Sequence, residues 1–95
     1  NFYRIPVVME LSAELSLYPL TGEVDTSVLA FIDDLHESGK ISVVTNTMST
    51  QISGEWDAVM TAVNLALKRS SERITRQVLV VKYLPSHRIE IGAEG

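Results

Sequence analysis

The strongest constraint on the fold is a strict alternation of apolar and polar residues between Val8 and Leu17. A period of two is that of a β-strand with one buried face. The apolar positions are Met9, Leu11, Ala13, Leu15 and Leu17. The segment therefore predicts a long first strand that turns its Glu and Ser side chains away from the core, before a loop containing Pro19 and Gly22.

A helix is predicted next. Apolar residues recur at helical spacing between Val28 and Leu35, and Gly39 follows them. Asp25 or Thr26 is the expected N-cap, because short polar side chains accept hydrogen bonds from the first free amides of a helix.

The middle of the chain predicts a β-hairpin and then a second helix. Residues 40–46 and 50–53 are rich in β-branched types and are separated by a short polar stretch. Gly54 is the expected start of the helix, which ends near Lys68 and Arg69. Its apolar stripe is Trp56, Val59, Met60, Val63 and Leu67.

Residues 74–84 predict a last strand, stopped by Pro85, whose central run of Val and Leu is apolar on both faces. This pattern predicts a strand that is buried on two sides. The order of elements is then β-α-β-β-α-β, the split βαβ pattern of ferredoxin-like α+β folds. In that architecture, four antiparallel strands carry both helices on one face of the sheet.

The other face of such a sheet has no helix to cover it. If the last strand lies inside the sheet, half of its apolar run faces this open side, together with Val44 and Met48. A large exposed apolar patch usually marks an interaction surface. We therefore expect a homodimer or homotetramer formed through the open sheet face.

Composition narrows the class of protein. Ninety-five residues, 45% hydrophobic, suit one domain over residues 1–95, with residues 86–95 as a C-terminal tail. The chain lacks Cys and carries a net charge of −4, which argues against a zinc knuckle and against nucleic-acid binding. No apolar run is long enough to cross a bilayer. We expect a cytoplasmic protein with no metal and no cofactor.

Polar and soft side chains cluster at the end of the first strand and around the hairpin. An aromatic face, amide groups and hydroxyls together suit a flat heterocycle that stacks and hydrogen-bonds. Ordinary turn chemistry would explain the same Asn, Ser and Thr residues, and both interpretations stay open on the residues alone. The candidate ligand-binding residues are Ser16, Tyr18, Asn46, Thr47, Met48, Ser49, Thr50, Gln51 and Trp56.

Other side chains favour structural roles. Trp56 on a helix stripe is typical of a core residue, although its place in the first turn also allows it to wall a pocket. Glu10 and Glu14 share a strand face and form a possible paired-carboxylate site, but such residues are more often solvated. His36 and His87 have no carboxylate cluster at metal spacing near them, so no catalytic residue is predicted.

Two blocks of sequence resemble a known family. The first is Ser16-Leu17-Tyr18-Pro19-Leu20, and the second runs from Asn46 through Met48 and Gly54 to Trp56. They are similar to the YkoF-like thiamine- and hydroxymethylpyrimidine-binding proteins, and the resemblance extends over about Val8 to Leu84. The sequence departs from the family pattern at Asn46-Thr47, where a proline usually precedes the methionine, and at Ser49, where glycine is usual.

The resemblance implies a non-enzymatic binding protein for thiamine or its hydroxymethylpyrimidine moiety, serving uptake or salvage. Unphosphorylated ligands are expected to bind better than the diphosphate, because Glu55 at the second helix N-terminus would compete with a phosphate. Two alternatives remain. One is a structural or regulatory oligomerisation module of ferredoxin-like fold without a working pocket, and the other is an enzyme of unrecognised type.

Overall fold

The structure, a computed structural model, describes residues 9–86. The elements in chain order are β1 (Glu10–Pro19), α1 (Val24–Glu37), β2 (Ile41–Thr45), β3 (Thr50–Glu55), α2 (Trp56–Arg73) and β4 (Gln77–Pro85). The predicted β-α-β-β-α-β order and the ferredoxin-like α+β fold are confirmed. Val8, at the start of the predicted first strand, and residues 87–95 of the predicted tail lie outside the described residues.

The sheet is antiparallel throughout, with strand order β2-β3-β1-β4. The central strand β1 pairs with β3 on one side and with β4 on the other. Its alternation places Leu11, Ala13 and Leu15 in the core beneath the helices. On the opposite face, Ser12 is also fully buried, and its hydroxyl lies 2.9 Å from that of Ser53 on β3. Phe31 and Leu35 of α1 join the same core.

Helix α2 contributes the other side of the core, from residues at helical spacing. Its buried apolar residues are Val59, Ala62, Val63 and Ala66. The helix continues four residues beyond the predicted end at Arg69, up to Arg73. No helix among residues 9–86 is long and apolar enough to cross a membrane.

The two helices are also joined by an ion-pair network on their exposed side. Asp34 of α1 lies 3.5 Å from Arg69 Nη1 and 2.7 Å from Arg73 Nη2, and Glu37 lies 2.8 Å from Arg69 Nη1. The hydrogen bond and charge of Glu37 raise the pKa of Arg69, and those of Asp34 add to the effect. Arg69 and Arg73 near the end of α2 are thus engaged with the neighbouring helix.

Three local predictions were wrong. Helix α1 begins at Val24, so Asp25 and Thr26 lie within it; its N-cap, Glu23, makes no side-chain capping bond. Asp25 instead lies in the first turn, where a negatively charged carboxylate interacts favourably with the positive end of the helix dipole. Gly54 belongs to β3, and α2 begins at Trp56.

The third correction concerns β4, which was predicted to be buried on two sides. Among residues 9–86 it is an edge strand that pairs with β1 alone, and it occupies Gln77–Pro85 rather than residues 74–84. Leu79 and Val81 pack against the core, whereas Val78 and Val80 on the open face are 46% and 44% exposed. One side of the apolar run of β4 therefore packs on the core. The other side of the run is exposed in the single chain.

Gly54 lies between two strands, since it pairs with Leu11 of β1 and with Ile41 of β2. A Cβ atom at this position would stand 3.2 Å from Ile41 Cγ2 and 3.2 Å from the Lys40 carbonyl oxygen. Both distances are tighter than ordinary van der Waals contact, and the second involves backbone. Gly54 thus allows β2 to approach β3 just before α2 begins.

We expect Gly54→Ala to lower the free energy of unfolding by about 1–2 kcal/mol, because the added methyl group must push β2 away from β3. Chemical denaturation followed by circular dichroism measures the change. The control is Ser42→Ala at an exposed position of β2, which should change stability by less than about 0.5 kcal/mol. Equal free energies of unfolding for the two variants would show that β2 can move away from the added methyl group without destabilising the protein.

Candidate functional site

A cavity of about 190 Å³ lies where the second half of β1, the β2–β3 connection and α1 meet. One wall is apolar and comes from alternate residues of β1 and the stripe of α1. The other wall is polar and comes from the hairpin. The lining residues are Leu15, Ser16, Leu17, Tyr18, Val28, Phe31, Ile32, Thr45, Asn46, Thr47, Met48, Ser49 and Thr50.

The turn of the hairpin is built by backbone and hydroxyl contacts. The Asn46 amide donates to the Ser49 carbonyl oxygen at 2.7 Å, and the hydroxyls of Thr45 and Thr50 lie 3.0 Å apart across its base. Asn46, Thr47 and Met48 remain exposed. The side chains at the tip are therefore accessible to a ligand.

The turn is also attached to β1 by two side-chain hydrogen bonds. Ser49 Oγ donates to Glu14 Oε2 at 2.8 Å, and Ser16 Oγ donates to the Met48 carbonyl oxygen at 3.4 Å. Backbone pairing between β3 and β1 reaches only Thr50 opposite Leu15. These two bonds continue the attachment of the hairpin beyond the end of that ladder.

Seven of the nine candidate residues line this one cavity: Ser16, Tyr18, Asn46, Thr47, Met48, Ser49 and Thr50. Gln51 does not. It is half-buried on the open face of the sheet, opposite Glu14 of β1 and Val44 of β2.

The structure does not bring Trp56 to the cavity. Trp56 is half-buried against the core, and its backbone amide donates to the Met9 carbonyl oxygen at 2.8 Å, just before β1 begins. The cavity starts at Leu15, so roughly 20 Å of strand separates the two ends. Glu55 lies beside Trp56, and the expected competition between Glu55 and a ligand phosphate therefore has no basis at this cavity.

The predicted set lacked six lining residues: Leu15, Leu17, Val28, Phe31, Ile32 and Thr45. All but Thr45 fit the apolar patterns of β1 and α1, which the sequence assigns to the core. Their periodicity indicates a buried face but gives no sign that the core opens at one end. Thr45 precedes Asn46 in the predicted second strand, and nothing in the sequence marks it as a lining residue. Its position at the base of the turn is seen only in the structure.

The lining of this cavity is uncharged. None of its described lining residues is charged. Burial raises the pKa of Tyr83 on β4, but Tyr83 lies opposite Ala13 and does not line the cavity. Across residues 9–86, no three His, Asp or Glu side chains come together in a way that would hold a metal ion. The chemistry offered by this cavity is hydrogen bonding, stacking on Tyr18 and apolar contact.

A larger cavity of about 440 Å³ lies on the helical side, between the end of α1 and the face of α2. Its rim is charged, and Asp34, Glu37 and Arg69 on that rim already form the ion pairs that join the helices. It contains none of the nine candidate residues. We therefore regard the smaller, uncharged cavity as the candidate ligand site.

Comparison with known proteins agrees with this fold. No curated protein matches the sequence significantly. Among solved structures, a hypothetical protein of Methanocaldococcus jannascii is 25% identical with a TM-score of 0.71, over 85% of this chain and 82% of its own. A Thermotoga maritima protein assigned to thiamine biosynthesis or salvage is 15% identical with a TM-score of 0.75, over 86% and 90%.

A domain of unknown function from Bacillus cereus is also similar, with 22% identity and a TM-score of 0.72 over 86% of this chain and 83% of its own. At 15% and 22% identity, the second and third likenesses establish the fold alone. The family model described as thiamine-binding protein matches residues 13–84, which is most of the chain and includes both blocks of the predicted resemblance. The chain therefore belongs to the thiamine-binding protein family.

Proposed function

We propose that this chain is a non-enzymatic, cytoplasmic binding protein for thiamine or its hydroxymethylpyrimidine moiety, acting in uptake or salvage. One observation carries the proposal. In a member of the thiamine-binding family, the end of β1 and the β2–β3 turn converge on one uncharged cavity.

The chemistry of the cavity supports a pyrimidine ligand. An aminopyrimidine needs a stacking partner and paired donor and acceptor atoms, and Tyr18 and the Asn46 amide supply them. The hydroxyls of Ser16 and Thr47 add adaptable partners, while Phe31 and Leu17 provide apolar contact. A volume of about 190 Å³ is below the ~300–1,000 Å³ of drug-sized sites, which favours a single substituted ring as the buried part of the ligand.

We expect Asn46→Ala to weaken binding of hydroxymethylpyrimidine about tenfold, because the amide side chain lines the cavity and its loss removes a hydrogen-bonding pair. Isothermal titration calorimetry measures the affinity. The matched control is Asn64→Ala on the exposed side of α2, which removes the same group away from the cavity and should leave the affinity unchanged. Trp56→Phe should also leave it unchanged.

A different pattern would assign the ligand to the larger cavity between the helices. Thr61→Arg places a bulky charged group there without touching β1 or the hairpin. If Thr61→Arg abolished binding while Asn46→Ala did not alter it, the proposed site would be wrong.

Unphosphorylated thiamine should bind more tightly than thiamine diphosphate, by at least about tenfold. The reason differs from the one based on Glu55: no Lys, Arg or His is among the described lining residues, so the diphosphate finds no opposite charge there to replace its hydration. Thermal unfolding tests the order, because a ligand at a hundredfold its dissociation constant adds about 2.7 kcal/mol of stability. A larger shift with the diphosphate at equal concentration would contradict this expectation.

Assembly through the open sheet face is the second part of the proposal, as a homodimer or homotetramer. Tyr18 of β1 lies beside Val78 of β4, and Val80 and Leu84 extend the same face. All four are between 44% and 53% exposed in the single chain. Lys82, which lies 3.7 Å from Glu14, separates Val80 from Leu84 on this face. Tyr18, Val78 and Val80 thus form a row of exposed apolar side chains, which is costly in water and favours a protein partner.

We expect Val80→Glu to lower the mass measured by light scattering at micromolar concentration, because it places a negative charge beside Val78 and Tyr18 in this apolar row. The control is Leu29→Glu on α1, a substitution at a 61% exposed residue of the helical layer, which should leave the mass unchanged. A monomeric wild-type chain would contradict the assembly.

The same exposed row favours a second candidate function, an oligomerisation module whose cavity holds no ligand. The module would show assembly that depends on Val80 but no stabilisation by thiamine, hydroxymethylpyrimidine or their phosphates. Turnover of any of these compounds, followed by chromatography, would instead show an enzyme.

A further inference from the structure

Glu14 lies in the middle of β1 on the open face and contacts two other elements. Its Oε2 accepts the hydrogen bond from Ser49 Oγ at 2.8 Å, and its Oε1 lies 3.7 Å from Lys82 Nζ of β4. Glu14 does not line the 190 Å³ cavity, whereas Ser49 does. The carboxylate therefore touches the wall of the cavity from outside.

Of the two bonds that attach the turn to β1, the one to Glu14 is the shorter. It is charge-assisted and partly buried, whereas the bond from Ser16 Oγ to the Met48 carbonyl is 3.4 Å long and exposed. Hydrogen bonds to ionised acceptors are roughly twice as strong as neutral ones. Since the β1–β3 ladder ends at Thr50, Glu14 is the main side-chain anchor of residues 46–49.

We propose that Glu14 is a positioning residue for the ligand site: through Ser49 it holds the 46–49 turn in the conformation that closes the cavity. The inference rests on the proposed function. Without the anchor, the turn samples conformations in which Asn46 and Thr47 no longer face the apolar wall. Apparent affinity falls in proportion to the fraction of molecules that remain competent to bind.

The competing role for Glu14 is a direct ionic contact with the thiazolium of thiamine. The two roles differ in what they need from the side chain. Anchoring needs an oxygen that accepts from Ser49, which glutamine keeps, whereas an ionic contact needs the charge, which glutamine lacks. They also differ in ligand, because hydroxymethylpyrimidine is neutral and thiamine is a cation.

The experiment measures the affinities of thiamine and hydroxymethylpyrimidine by calorimetry for Glu14→Ala, Glu14→Gln, Ser49→Ala and the Glu14→Ala/Ser49→Ala double variant. Anchoring predicts that each alanine variant weakens both ligands about tenfold, and that the double variant binds no more weakly than either single one. Glu14→Gln should stay within about threefold of wild type for both. Glu72→Ala at the end of α2 removes an equal charge from an exposed site and should change nothing.

If Glu14→Gln lost thiamine binding but kept hydroxymethylpyrimidine binding, the proposal would be overturned in favour of an ionic contact. Unchanged affinities for both ligands in Glu14→Ala would overturn it outright. Hydrogen exchange of the ligand-free protein separates this failure from that of the proposed function. Glu14→Ala and Ser49→Ala should speed exchange of the Asn46 amide while β1 stays protected. If wild type binds neither compound, the proposed function fails; if exchange is unaltered, the anchoring role fails.

Discussion

The rest of the structure depends on the pairing of β1 with both of its neighbours. Because directly opposite residues of antiparallel strands share a face, the alternation of β1 decides which residues of β3 and β4 meet the helices. Leu15 faces the core, and so do Thr50 and Val81 opposite it. A shift of one residue in either ladder would place Glu14 or Lys82 beneath α1 and α2, at a cost that no surface contact would offset.

This dependence explains how much of the fold could be predicted from the sequence. The alternation of β1 and the helical stripes are strong local patterns, so the element order and the buried face were predictable. The edge position of β4 was not, since an apolar run in a central strand and one in an edge strand with an exposed apolar side have the same sequence pattern. The start of α2 was missed because Gly54 is required for the close approach of β2, whereas a glycine in sequence suggests a helix boundary.

The candidate site was predictable to the extent that it comes from two short continuous segments. Ser16 and Tyr18 at the end of β1 and Asn46 in the turn are polar where the pattern allows a loop or strand end, and the fold brings them together. Trp56 follows the hairpin closely in sequence, but β3 carries the chain to the other end of the sheet before α2 begins. The anchoring contact of Glu14 with Ser49 joins residues 35 positions apart and could be seen only in three dimensions.

The turn at residues 46–49 has a consequence for how such a protein diversifies. Its shape is set by a backbone hydrogen bond from Asn46 to Ser49, by the threonine pair at its base and by the bond from Ser49 to Glu14, whereas Thr47 and Met48 at the tip are exposed. Replacing those two side chains changes the lining of the candidate site but leaves the buried core intact. The side chains of the turn can therefore vary at little cost in stability, whereas a change in β1 or its pairings disturbs the core on which both helices rest.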